Sequence, residues 1–217
     1  MTQDLLAPVL ARIDAGLDQS VERLVDVLRI PSISTDPKYT PDVRRAAEWM
    51  AAQLSEIGFD AAVRDAKKHP MVVGHFKGPE GAPHLLYYGH YDVQPADPYE
   101  LWDSDPFEPQ IVEAERGKRI VARGAVDDKG QVMTFLEACR AFLAVTGSLP
   151  IGLAAWLAVY WPMRYLVAGF QHARRRRRGR PWTGCGRRCS RCRRRCRARR
   201  WGRARSGAST RSPITWA

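Results

Sequence analysis

Leu5, Val9, Ile13, Leu17, Val21, Leu24 and Leu28 recur every three or four residues, so residues 4–29 predict one or two amphipathic helices with acidic outer faces. Pro31 ends that pattern. Thr40-Pro41-Asp42 predicts a further helix start, with Thr40 as N-cap and Pro41 at the first helical position. Val43, Ala47, Met50, Leu54 and Ile57 form its apolar stripe, and Gly58 closes it. Three short runs of strand-like composition follow at 60–65, 71–76 and 84–89, separated by the turn sequences Lys67-Lys68-His69-Pro70 and Lys77-Gly78-Pro79-Glu80-Gly81-Ala82-Pro83. Residues 110–114 and 119–123 predict a hairpin turning at Glu115 to Lys118, and Val132, Phe135, Leu136, Cys139, Phe142 and Leu143 mark the buried stripe of a later helix. Strands alternating with helices in this way predict an α/β fold, a central mixed sheet flanked by helices.

Two polar stretches interrupt the apolar pattern where chemistry is expected. The run Leu85-Leu86-Tyr87-Tyr88 leads into Gly89-His90-Tyr91-Asp92. In extended backbone, residues i and i+2 face the same way, so His90 and Asp92 converge at the end of that strand. The second stretch, Arg123 to Gly130, puts Asp127 between a strand end and a helix start. Zinc takes nitrogen from neutral imidazole and oxygen from carboxylate, which suits His90 and Asp127. A carboxylate can also bridge two ions held about 3.5–4 Å apart. Asp92, accepting a hydrogen bond from the far ring nitrogen, would fix the tautomer of His90 and raise its basicity. Residues 95–109, rich in Pro, Asp and aromatics, predict an ordered loop beside these groups.

The stretches GHYDVQP (89–95), LWDSDPFEP (101–109) and RGAVDDKG (123–130), preceded by LRIPSIS (28–34), together resemble the co-catalytic zinc peptidases. That group includes carnosine dipeptidases, aminoacylases, acetylornithine deacetylases and succinyl-diaminopimelate desuccinylases. Tyr91, Val93 and Gln94 bring the likeness nearest to its dipeptidase branch. The resemblance implies His90 as ligand of one zinc, Asp127 as the ligand bridging two, Asp92 as the residue orienting His90, and Asp128 as partner in a cis peptide. It implies hydrolysis of dipeptides or N-acyl amino acids by metal-activated water, other divalent metals also being admissible, and a homodimer in the intact family. It spans residues 5–152 and then stops. Where the next strand should end in a Glu-Glu pair, general base followed by ligand, Tyr160, Trp161 and Pro162 stand instead, and no Asp or Glu follows Glu137. The later acidic ligand and histidine have no counterpart, since His172 lies in an unrelated context.

Charge divides the chain at the same place. Residues 1–150 carry 16 Lys and Arg against 23 Asp and Glu, whereas 151–217 carry 19 against none. The resulting division is a partial catalytic domain over 1–152, an apolar segment over 153–173 and a tail over 174–217. That tail holds 18 arginines, four cysteines and three tryptophans with Ile214 as its one aliphatic residue besides alanine, a composition that builds no core and predicts disorder. Arg, Gly, Ala, Pro, Cys and Trp share G- and C-rich codons, so a reading-frame slip after about codon 152 accounts for the tail. A membrane segment over Ala141 to Met163 is a competing reading, opposed by Pro150, Pro162 and Arg164. A nucleic-acid-binding arm acting through phosphate neutralisation is another. Cys185, Cys189, Cys192 and Cys196 contain one tight Cys-x-x-Cys and no second pair, poor spacing for zinc. The start Met-Thr-Gln-Asp lacks the features of a signal peptide, so a cytoplasmic location is expected, with Cys139 a small buried apolar residue.

Overall fold

The computed structural model describes residues 3–115 and 117–159. The expectations for residues 160–217, including the disordered tail, the cysteine cluster and His172, lie outside the described residues. The amino-terminal apolar pattern forms two helices, α1 (Gln3–Ala15) and α2 (Leu17–Leu28), parted at Gly16. A 3-10 turn, Pro37–Tyr39, then runs directly into α3 (Thr40–Glu56). Thr40 is therefore not the N-cap expected from sequence. Its backbone N–H already bonds Pro37 O, so the cap position of α3 falls on Tyr39, which makes no side-chain cap, and Asp36 caps the preceding 3-10 turn by accepting the Lys38 N–H at 2.9 Å. Val43, Ala46, Ala47, Met50, Ala51 and Leu54 form the buried face of α3, and Gly58 (φ +91°) turns the chain into the sheet.

Four strands make a mixed sheet in the order β1 (Asp60–Arg64), β2 (Met71–Phe76), β6 (Gly152–Ala158), β3 (His84–His90). β6 lies inside the sheet, antiparallel to β2 and parallel to β3, and its residues are apolar throughout. Leu153, Ala155 and Leu157 point to the face that carries Val72, and there they join the α3 stripe and Val132 and Leu136 in one core. The last two come from α4 (Lys129–Thr146). Tyr87 extends the same face, its ring stacked on Phe135 at 3.7 Å. On the opposite face Tyr88 meets Trp156 edge-on, while Val73 and Leu86 are exposed.

β4 (Gln110–Ala114) and β5 (Gly117–Val121) form a separate antiparallel hairpin. β5 begins two residues before the expected strand start, with Gly117 at φ +99° admitting the earlier entry. The polar loop after β3 is ordered by side chains: Trp102 Nε1 donates to Ala96 O at 2.8 Å, and the Arg123 guanidinium lies 5.1 Å from the Trp102 ring centre. It also contains a 3-10 turn, Tyr99–Leu101, where no regular structure is expected from its composition. Both Asp97–Pro98 and Asp127–Asp128 are cis peptides. No helix among the described residues is long and apolar enough to cross a membrane.

Candidate metal centre

β3 and β6 run parallel, His90 pairing with Ala158, so His90 stands at their carboxyl edge. In open α/β sheets that edge is where loops converge and sites form. Two further segments reach it. Tyr91 to Val93 continue β3 and pair with the segment after α2 through a parallel bridge between Ile33 and Val93. The stretch from β5 to α4 arrives through Gly124, whose φ of +86° and close approach to Val93 (a Cβ there would lie 2.7 Å from Val93 Cγ1) exclude a side chain.

These segments bring together all three side chains singled out in the sequence. His90 Nδ1 lies 3.1 Å from Asp92 Oδ1, and His90 Nε2 lies 3.0 Å from Asp127 Oδ1. The three differ in access: the Asp92 side chain is 4% exposed and that of His90 12%, whereas Asp127 is 84% exposed. Asp92 thus backs the imidazole from inside, and Asp127 meets it from the solvent side. Asp128 turns inward, its Oδ2 accepting the backbone N–H of His90 at 2.9 Å. Burial lifts the Asp128 carboxyl above its ordinary range, partly offset by that hydrogen bond. Burial opposes charge on His90, but the hydrogen bond and charge of Asp92, with the charge of Asp128, outweigh it and push the imidazole up to about 9.

Several supporting groups carry no signal in a one-dimensional reading. Lys129, fully buried, donates Nζ to Val27 O at 2.9 Å and to Ile30 O at 2.6 Å, and burial pushes its amine down to about 7. It ties the carboxyl end of α2 to the residue that follows Asp128. Ser32 Oγ donates to Tyr91 O at 2.7 Å, and Ser34 Oγ donates to Asp92 Oδ2 at 2.5 Å. The one hint in the sequence is the Ser-x-Ser alternation, which puts both hydroxyls on one side of an extended segment. Cys139 is buried and unpaired by disulfide, its thiol raised by burial to about 11.

The molecule is thus an α/β sheet with an imidazole–carboxylate pair at the carboxyl edge of its parallel strands. Residues 86–158 match Peptidase family M20/M25/M40. The chain is 30% identical over 151 residues to the Cys-Gly metallodipeptidase dug1 of Schizosaccharomyces pombe, covering 65% of this chain and 31% of that one. Among solved structures it is similar to the dipeptidase Dug1p of Saccharomyces cerevisiae (TM-score 0.64, 28% identity, 73% of this chain and 35% of that one). It is also similar to human carnosine dipeptidase 1 (TM-score 0.63, 27% identity, 70% and 34%). The chain thus spans about a third of the length of the relatives it matches. The family match ends at residue 158, where β6 also ends.

Proposed function

We propose that this domain is the first part of a metal-dependent dipeptidase, a hydrolase of dipeptides or N-acyl amino acids, in which His90 and Asp127 hold divalent metal and Asp92 orients His90. The observation that carries this reading is the His90–Asp127 contact of 3.0 Å with Asp92 at the far ring nitrogen. A nitrogen and a carboxylate oxygen meeting at one point suit zinc, which His90 and the exposed Asp127 would hold. When bound, the metal would polarise the amide carbonyl and make water a better nucleophile. The residues of this chain hold and orient: Asp92 and Asp128 fix the imidazole and its backbone, and Gly124 lets the Asp127 segment approach.

Among the described residues the donor set is incomplete: no group of three or more His, Cys, Asp or Glu is arranged to hold a metal ion, whereas a catalytic zinc takes three protein ligands. The proton leaving water and arriving at the amine also needs a carboxylate near the pair, and the sequence places Tyr160-Trp161-Pro162 where the resemblance puts it. The chain as written is therefore not a working peptidase. We attribute this to a frame slip beyond the end of the family match at residue 158, the tail being its product.

The test is hydrolysis of a dipeptide panel that includes Cys-Gly, by the purified chain of verified mass with added zinc. No turnover above zinc alone is expected. Turnover abolished by both His90→Ala and Asp127→Ala would overturn the inactivity and mean that other groups complete the site.

A further inference from the structure

Asp92 does not stand alone behind His90. Its buried carboxylate lies between two groups: Oδ1 is 3.1 Å from His90 Nδ1, and Oδ2 accepts the Ser34 hydroxyl at 2.5 Å. A carboxylate turns about one bond, so fixing Oδ2 fixes where Oδ1 points. A serine hydroxyl has one proton to give, and this one is given to Asp92.

Ser34 is itself fixed from several sides. Its carbonyl meets His69 Nε2 at 2.9 Å. Next to it, Ile33 pairs with Val93, Val93 N donates to Ser32 O at 3.0 Å, and Ser32 Oγ donates to Tyr91 O. The head of the same segment is held by the two Lys129 bonds to Val27 and Ile30. The segment that carries Ser34 is therefore tied at one end to the residue after Asp128 and at the other to both neighbours of Asp92. A hydroxyl held this firmly presents a fixed donor, where an exposed serine would sample rotamers.

We propose that Ser34 is a positioning residue of the His90–Asp127 centre. Its hydroxyl sets the rotation of the Asp92 carboxylate, so that Asp92 holds Nδ1 of His90 and Nε2 stays turned toward Asp127. The proposal rests on the reading of His90 and Asp127 as a metal-holding pair. Orientation of a ligating histidine by the partner of its far nitrogen is a general device, and Ser34 extends it by one residue.

The test compares Ser34→Ala and Ser34→Thr in the full chain. The alanine removes the hydroxyl at nearly constant volume, and the threonine keeps it. The readout in the metal-free protein is the ring Nδ1–H resonance of His90 and its exchange with water, with circular dichroism to verify folding. Exchange about tenfold faster in Ser34→Ala, with Ser34→Thr within about twofold of the parent chain, is expected. A zinc titration of the same proteins should show affinity falling about tenfold in the alanine variant and recovering in the threonine variant. An unchanged His90 resonance and exchange rate in folded Ser34→Ala overturns the role of Ser34 and leaves the metal reading standing. Zinc affinity unchanged by His90→Ala and Asp127→Ala overturns the metal reading itself. If both variants lose stability and speed exchange alike, Ser34 is a packing residue and the proposal is wrong.

Discussion

Gly89 shows how little room the centre leaves at the residue scale. A Cβ there would lie 2.6 Å from Val132 Cγ2 and 3.2 Å from Asp128 Oδ2, the oxygen that receives the His90 N–H. Gly89→Ala is expected to destabilise the domain by about 1–3 kcal/mol, read from the denaturant midpoint, because α4 must move away from β3 to admit the methyl. A midpoint unchanged from the parent chain would mean that the two elements are not packed as described. The convergence of His90, Asp92 and Asp127 was legible in the sequence because the signals are local: an i, i+2 pair after an apolar run, and an acidic turn between elements. Lys129 and Ser34 were not. Their partners, the Val27 and Ile30 carbonyls and Asp92, lie between 58 and 102 residues away in sequence, and nothing in a charged or hydroxyl side chain announces such a contact.

Among elements, the docking of α2 on α4 rests on a polar cluster as well as on apolar contact. Glu137 accepts from Arg23 Nη2 at 2.6 Å, Arg23 Nε at 2.7 Å and Ser20 Oγ at 2.9 Å. Burial alone would raise the Glu137 carboxyl, but the hydrogen bonds from Arg23 and Ser20 and the charges of Arg23 and Arg140 hold it below its ordinary 4.5. The folded-state pKa is the depressed one, so the stabilisation is complete above the unfolded value and disappears as pH falls through the folded value. Glu137→Gln is expected to cost about 1–2 kcal/mol at neutral pH, with the gap to the parent chain closing below about pH 4. Melting both proteins across that range checks it, and a gap independent of pH would show that the charge of Glu137 contributes nothing. The elements themselves were largely legible, since the 3.6 period identifies α1 to α4 and strand-like composition between turn sequences identifies β1 to β3. Two boundaries were not: the 3-10 turn before α3 displaced the cap from Thr40, and the hairpin closed earlier at Gly117. Both depend on backbone geometry that many sequences satisfy.

On the scale of the whole molecule, the architecture follows from alternating patterns, but the strand order does not. β6 inserts between β2 and β3, and a contiguous apolar strand gives no sign of which edges it will join. The exposed Leu85 and Leu86 of β3 and Val73 of β2 leave apolar surface on a sheet, and concentration-dependent light scattering by the purified chain is expected. Scattering that stays flat with concentration would contradict it. If a frame slip made the tail, it falls after residue 158, where β6 and the family match end, and the gene read in one of its other frames from there encodes a Glu-Glu pair within a few residues; the absence of such a pair in both frames removes that explanation. The central claim, that His90 and Asp127 form one incomplete metal centre, is tested most directly by calorimetric titration of the purified chain with zinc. Binding weaker than about 10 micromolar, lost in both His90→Ala and Asp127→Ala, is expected from a donor pair that closes no tetrahedral set. Submicromolar binding of two zinc ions per chain, or binding indifferent to both substitutions, would contradict it.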